Sequence, residues 1–509
     1  MKRSTALSLI LLLAVMPLMA QWNQLPVLKI TFTGTLSSTS TDYLNGSMTL
    51  TDPNGKVVEM PAKYRMRGAT AKEYSMKPSI NMKLRNADYT EEADSALLGM
   101  RSCSSWILDA MAIDRVCMRN RVLFDIWNQF SRLPYDTDFG GRNGTEGRFV
   151  ELYMNNKYLG IYCLSDRINR KLLNLKKVKI QDDGTPLLRG ALYKNGTTDV
   201  LDQNTAGFFN DYSVYIPEWH NAWELTDPED YACEAVWEPL VECFKSSGRT
   251  ASYVKKTFFI DNLAEYQLFI MAFCISDNWG NKNHYFSVRN MNKDIDDADA
   301  TESDRRRIVI TPWDLDTGLG GDYKGRDYNG DFTHSQDFTP ATIVKNGGHY
   351  PFTYLQGDAQ YNALLKQKWV ENRKGALSYD NVARIITQYT NLFVNSGAWQ
   401  RMVNQLNTFK YKPCYVQDVA AETTILKQWY KDRFALMDSY FGITDATVSY
   451  DAADVNHDGK VDTQDVLQIY DYMKASVNSS NIGATEDVNQ DCMVDTQDVL
   501  MVYEYMKAH

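Results

Sequence analysis

Long apolar runs are missing from this chain beyond its first twenty residues. No later stretch reaches the roughly 18 apolar residues that a membrane-spanning helix needs. Cysteine is also scarce. Eight among 509 residues are too few for a fold stapled by disulfides. No two of them stand at CxxC spacing, which argues against zinc. Cys233 and Cys243 fall in one helix-like segment and can pair across a turn. Cys117, Cys163 and Cys274 sit in apolar patterns, as buried thiols do. A basic excess is lacking too. The net charge is −10, so nothing points to nucleic acid. No two carboxylates are singled out by spacing as a glycosidase pair.

What is present starts with a leader. Lys2 and Arg3 precede a mostly apolar Leu7–Met19, and small Ala20 ends it. That pattern is a secretory signal over residues 1–20, too short and too interrupted for an anchor. The chain length predicts two or more domains.

Residues 25–33 and 45–60 alternate apolar and polar. With turn signals at Asn45-Gly46 and Pro53-Asn54-Gly55 they read as a β-meander. The meander leads into KYRMRGATAKEYSMKPSINMKL, which carries Arg67, Lys77 and Lys83. Fixed positive charge of this kind holds phosphates; it also protects strand edges. Residues 114–130 have the spacing of an amphipathic helix. Residues 149–169 read as a hairpin turning at Asn155-Asn156. Asp166 near its end is placed to cap a helix. The aromatics from Tyr193 to Trp223 read as core. Residues 229–275 and 352–443 have helical spacing.

The most informative stretch runs from Phe258 to Gly320. It reads as a buried helix, a polar loop, two strands flanking a charged insert (290–307), and a second polar loop. Asp277 and Asn283 open the first strand; Asp314 and Asp316 close the second. Two loops at one end of a β-hairpin bring these oxygens together, as a hard divalent cation requires. Asn281 competes with Asn283, because the NKN triplet leaves the register open. Asp, Asn and Gly also favour turns for their own reasons. The order parallels protein kinases, in which a base-like Asp and a metal-binding Asn share a loop and a second metal-binding Asp follows.

Five segments in order resemble the CotH kinase family: MRGATAKEYSMKPSINMKL, DRVCMRNRVLFDI, VELYMNNKYLGIYCLSDRI, SDNWGNKNHYF and PWDLDTGLG. The resemblance implies an atypical protein-kinase-like domain of two lobes and phosphorylation by ATP with Mg²⁺ or Mn²⁺. The first lobe would be β-rich to residue 175, and the second helical. It implies Asp277 as base or transfer residue, with Asn283 and Asp314 as metal ligands and Asp316 supporting them. Arg67, Lys77 or Lys83 would hold phosphates, with Asp166 beside the nucleotide.

The tail carries an internal repeat: DAADVNHDGKVDTQDVLQIYDYMK at 451–474 and ATEDVNQDCMVDTQDVLMVYEYMK at 484–507. Oxygen side chains recur at EF-hand loop positions 1, 3, 5, 9 and 12. They are Asp454, Asn456, Asp458, Asp462 and Asp465 in the first copy. In the second they are Asp487, Asn489, Asp491, Asp495 and Asp498. Lys460 and Met493 would offer backbone carbonyls. Position 6 is Gly459 in one copy and Cys492 in the other, where glycine eases the sharp turn. Each loop is followed by one helix and preceded by none. That pairing resembles a type I dockerin, and the resemblance implies a module folded on two Ca²⁺ ions that plugs into a cohesin.

The expected fold class is therefore α+β: a kinase-like domain over 21–445, then an all-α calcium module over 446–509. Two functions follow. One is an exported kinase for protein Ser/Thr hydroxyls, attached through its dockerin to a cohesin-bearing assembly. The other is a non-catalytic extracellular scaffold that uses the same domain to bind protein or glycan.

Overall fold

The computed structural model describes residues 24–68, 77–135, 141–195, 223–231, 234–244, 250–278, 283–292, 306–321, 351–405 and 415–443. In the tail it describes 450–456, 458, 460–475, 485–488 and 494–508. The leader, Cys233, the insert over 293–305, Asn281, Asn489, Asp491, Cys492 and Met493 lie outside the described residues.

Seven strands close into a barrel. They are β1 (Val27–Phe32), β2 (Leu44–Thr51), β3 (Val57–Arg67), β4 (Ser79–Leu84), β5 (Ser105–Asp109), β6 (Gly147–Met154) and β7 (Lys157–Asp166). Their order around the barrel is β1-β2-β3-β4-β5-β7-β6, and a parallel β1–β6 pairing makes the closure. Alternation places Leu28, Ile30, Met48, Leu50, Tyr64, Ile80, Met82 and Leu164 inside as one packed core. The expected hairpin is there as β6–β7, and Asn155 and Asn156 both take the positive φ that its two-residue turn requires.

Asn45-Gly46 is not the turn its sequence announces. Both residues lie inside β2, with Gly46 opposite Phe32. A Cβ at Gly46 would stand 1.9 Å from the Thr31 carbonyl oxygen, so the glycine serves close approach of two strands. Gly46→Ala is expected to destabilise the protein by about 3 kcal/mol, read as a lower thermal midpoint. An unchanged midpoint would contradict this account.

Helix α1 (Arg119–Phe130) crosses beside the barrel. It starts later than the predicted 114: its N-cap is Met118, and Asp114 braces that start from four residues upstream. The Asp114 carboxylate accepts the backbone N–H groups of Met118 and Arg119 at 2.7 and 2.8 Å. It also pairs with the buried Arg119 guanidinium. Beyond residue 175 the chain is not purely helical. Strands β8 (Ala191–Asn195), β9 (Trp223–Asp227), β10 (His284–Val288) and β11 (Ile308–Pro312) form a sheet in the order β9-β8-β10-β11. Between its strands run α2 (Glu234–Phe244), α3 (Ala251–Thr257) and α4 (Ile260–Phe273). After it come α5 (Ala359–Arg373), α6 (Tyr379–Asn395), α7 (Ala398–Gln405) and α8 (Val419–Phe441).

Helix α4 is the apolar run of the sequence. It is buried nearly all round and joins α1, the sheet and the later helices in one core. Cys117, Cys163 and Cys274 are buried, and burial pushes the Cys163 thiol up to about 12. In the tail, α9 (Thr463–Ala475) and α10 (Thr496–Ala508) share a small core of Val455, Ile469, Val488 and Val502.

Candidate functional site

Helix α4 ends at Cys274, whose left-handed backbone turns the chain out of the core. A 3-10 turn over Ser276–Asn278 follows. Asp277 donates its backbone N–H to the Thr317 hydroxyl at 3.1 Å. Its carboxylate accepts the Asn283 side-chain N–H at 3.0 Å. The first loop is thus folded on itself and tied to the second.

The main tie is Asn278, which the sequence reading did not single out. It is fully buried, and its amide donates to the backbone oxygens of Asn283 (2.9 Å) and Trp313 (2.7 Å). The Trp313 N–H returns a bond to the Asn283 carbonyl at 2.8 Å. Asn283 and Asp314 both adopt positive φ, a backbone state that costs free energy unless the surroundings hold it.

Helix α1 grips the second loop from the other side. The Asn120 side-chain oxygen accepts the Leu315 N–H at 3.1 Å, and its side-chain N–H donates to the Asp109 carboxylate at 3.2 Å. The Leu319 N–H bonds the Phe273 carbonyl. Asp109 ends β5, so three carboxylate-bearing segments meet here. Asp316 keeps some exposed surface, but its carboxyl is crowded by protein. Burial pushes it well above the usual carboxylate range, and Asp314, Asp109, Asp277 and Asp114 add to the push. Asp109 and Asp114 were also missed by the sequence reading. A usable signal existed: Asp109 closes an apolar strand (SWILD) much as Asp314 follows one (VITPWD).

The four residues proposed from the two loops are therefore neighbours, and they are oxygen donors. Among the described residues, no three His, Cys, Asp or Glu side chains converge closely enough to hold a metal by themselves. That arrangement still suits magnesium. Mg²⁺ takes one or two carboxylates and fills its remaining positions with water and phosphate oxygens. The Asn283 amide gives its N–H to Asp277, so its oxygen is the atom that remains for a cation.

The basic candidates separate. Arg67 lies with its guanidinium 5.3 Å over the Trp313 ring, beside the second loop. Lys83 lies on the barrel exterior, 5.0 Å over Tyr43. Lys77 is fully buried. It donates to the Ala110 carbonyl at 3.1 Å and the Tyr415 hydroxyl at 2.9 Å, and also to the Ile161 carbonyl. Asp166 is not a helix cap. It ends β7, buried, accepting from Arg101 (2.6 Å), Arg142 (3.0 Å) and the Glu146 N–H (2.8 Å).

Burial lowers the Lys77 ammonium from 10.5 to about 8, against smaller upward pulls from Cys117 and Asp109. Between these two pH values the unfolded chain holds more protons than the folded one. The contribution of Lys77 to stability therefore climbs as pH rises from 8 to 10.5 and is flat below. Over that range wild type should gain up to about 3 kcal/mol relative to Lys77→Met. Urea midpoints of the two proteins across the window measure it, and parallel curves would refute it.

In the first tail loop the side chains are already oriented. Asp465, fully buried, accepts the N–H groups of Asn456 (3.1 Å) and Asp462 (2.7 Å). Asp454 and Asn456 both accept from the Asp458 N–H, and Asp458 accepts from the Lys460 N–H. The second loop repeats the pattern where it is described: Asp498 accepts from Asp495 at 2.8 Å. Asp454, Asp487 and Asp498 are buried as well.

Comparison with known families agrees with this architecture. The chain matches the family described as CotH kinase protein over residues 64–437. It matches the type I dockerin domain over residues 436–507. No curated protein is similar enough to count as a relative. Type I dockerin domains bind calcium, and a dockerin implies a cohesin partner. No helix among the described residues is long and apolar enough to cross a membrane. The chain belongs to the CotH kinase family and carries a type I dockerin downstream of its kinase-family region.

Proposed function

We propose that the CotH region, residues 21–445, is an active phosphotransferase that moves the terminal phosphoryl group of ATP to Ser or Thr hydroxyls of a protein. The barrel would be its first lobe and the sheet with its helices the second. Asp277 accepts the proton of the attacking hydroxyl, and its carboxylate is aimed by the Asn283 amide. Asn283, Asp314 and Asp316 would hold Mg²⁺ or Mn²⁺. The ion, when bound, neutralises charge on the phosphate oxygens. Asn120 and Thr317 fix the backbone that presents these groups, so little reorganisation is needed at the moment of transfer.

The observation that carries this reading is the Asn278 amide bonded to both loops. It sets Asp277, Asn283 and Asp314 on adjoining turns. The test is transfer of labelled phosphate from ATP to a Ser-rich protein, with Mg²⁺ or Mn²⁺. Transfer by Asp314→Ala at the wild-type rate in limiting Mg²⁺ or Mn²⁺ would overturn the assignment. One observation favours the scaffold reading instead: Lys77 gives its ammonium to backbone carbonyls and Tyr415 inside the protein. Absence of any nucleotide binding would decide for it.

The tail, residues 446–509, would fold on two calcium ions. Asp454, Asn456, Asp458, Asp462 and Asp465, with the Lys460 carbonyl, would hold one. Asp487, Asn489, Asp491, Asp495 and Asp498, with the Met493 carbonyl, would hold the other. Its cohesin face is the exposed pair Leu467 and Tyr470 on α9, or the matching Leu500 and Tyr503 on α10. Thr463-Gln464 and Thr496-Gln497 lie at the start of the same helices. Dockerin modules occur in extracellular proteins, and residues 1–20 would direct export.

A further inference from the structure

Arg67 and Lys194 flank the Trp313–Tyr285 pair beside Asp314, and the charge of Arg167 acts on both Lys194 and Tyr285. Arg67 comes from the end of β3 and lies over Trp313. Lys194 comes from β8, opposite Tyr285 in the sheet, and the Tyr285 ring meets Trp313 edge-on at 6.0 Å. Arg167 follows β7 directly. Its carbonyl accepts from Arg101 at 2.9 Å, and the same arginine holds the buried Asp166. The backbone that presents Arg167 is therefore fixed from below.

All three side chains are half-buried. Among the described residues neither Arg67 nor Arg167 has a carboxylate within ion-pair distance, and Lys194 has only Glu224 at 3.6 Å. The group is close enough to be felt. Burial weakens the hold of Lys194 on its proton most; Glu224 opposes this, Arg67 and Arg167 weaken it further, and Asp314 opposes them. Gathering half-buried like charges costs free energy unless an anion lies between them. Guanidinium forks match phosphate oxygens two at a time.

We infer that Arg67, Arg167 and Lys194 form a clamp between barrel and second sheet that holds the polyphosphate chain of a nucleotide. The identity of the anion rests on the phosphotransferase reading; the clamp itself does not. It removes Lys77, which is enclosed, and Lys83, which lies on Tyr43, from the phosphate-binding role. Asp314 at the edge of the clamp would hold a divalent cation that neutralises phosphate charge. Asp166 becomes a positioning residue, acting through the segment that carries Arg167.

The test uses the full chain and inorganic tripolyphosphate, followed by calorimetry. Wild type should bind it. Arg67→Ala, Arg167→Ala and Lys194→Ala should each weaken binding by about tenfold or more. Arg67→Lys and Arg167→Lys, which keep the charge, guard against misfolding and should fall between. No binding by wild type, or equal binding by all variants, overturns the clamp. Binding that follows the three residues without transfer from ATP would sink the kinase reading and leave the clamp. Transfer that ignores them would do the reverse.

Discussion

Exchanging Asp277 for asparagine should lower kcat for phosphoryl transfer about a thousandfold and leave the protein folded. Asparagine has the same shape. It keeps the backbone N–H bond to Thr317 and a polar atom facing Asn283. It cannot accept the proton of the attacking hydroxyl. The KM for ATP should therefore change little, because the loss is confined to the transition state. Asp314→Ala should behave differently. Its rate should fall mainly through a higher requirement for Mg²⁺ or Mn²⁺. Initial rates over a metal titration separate the two. An Asp277→Asn enzyme with the wild-type rate would refute the base assignment.

Removing calcium should unfold the tail and spare the remainder. Asp454, Asp465, Asp487 and Asp498 are all buried. Carboxylates packed this closely repel one another without a cation. At a calcium concentration a thousand times the dissociation constant, binding adds about 4 kcal/mol per ion to stability. A domain with so small a core has little to set against that loss. In amide exchange on the full chain, α9 and α10 should lose protection on chelation, while α4 and the barrel keep theirs. Protection of α9 and α10 that survives chelation would remove calcium from the folding account.

Period and punctuation in the sequence carried much of the architecture. The helical spacing of α4 to α8, the β6–β7 hairpin and the strands flanking the charged insert were all legible, because each rests on local pattern. Closure of the barrel was not. It depends on the parallel β1–β6 pairing, and strands so distant leave no local mark of their partnership. Asn45-Gly46 misled for a related reason: a glycine needed for close approach looks the same in sequence as one needed for a turn.

Of the candidate site, the two polar loops could be read, and the residues that hold them together could not. Asn278, Asn120 and Thr317 are ordinary polar residues in sequence. Their importance comes from which backbone groups they meet after folding. Charged residues were similarly ambiguous. Lys77 and Arg67 stand in one basic stretch, yet one is walled in by carbonyls and the other lies on Trp313. Lys194 and Arg167 reach the same place from later strands, which no spacing rule anticipates.

The matched Leu-Tyr pairs on α9 and α10 bear on how a cohesin would hold the rest of the chain. A partner that grasps one copy fixes the rest of the chain in one pose. Grasping the other copy swings it into another. If the tail docks on a cohesin, one kind of attachment point would then present the same domain to neighbours on more than one side.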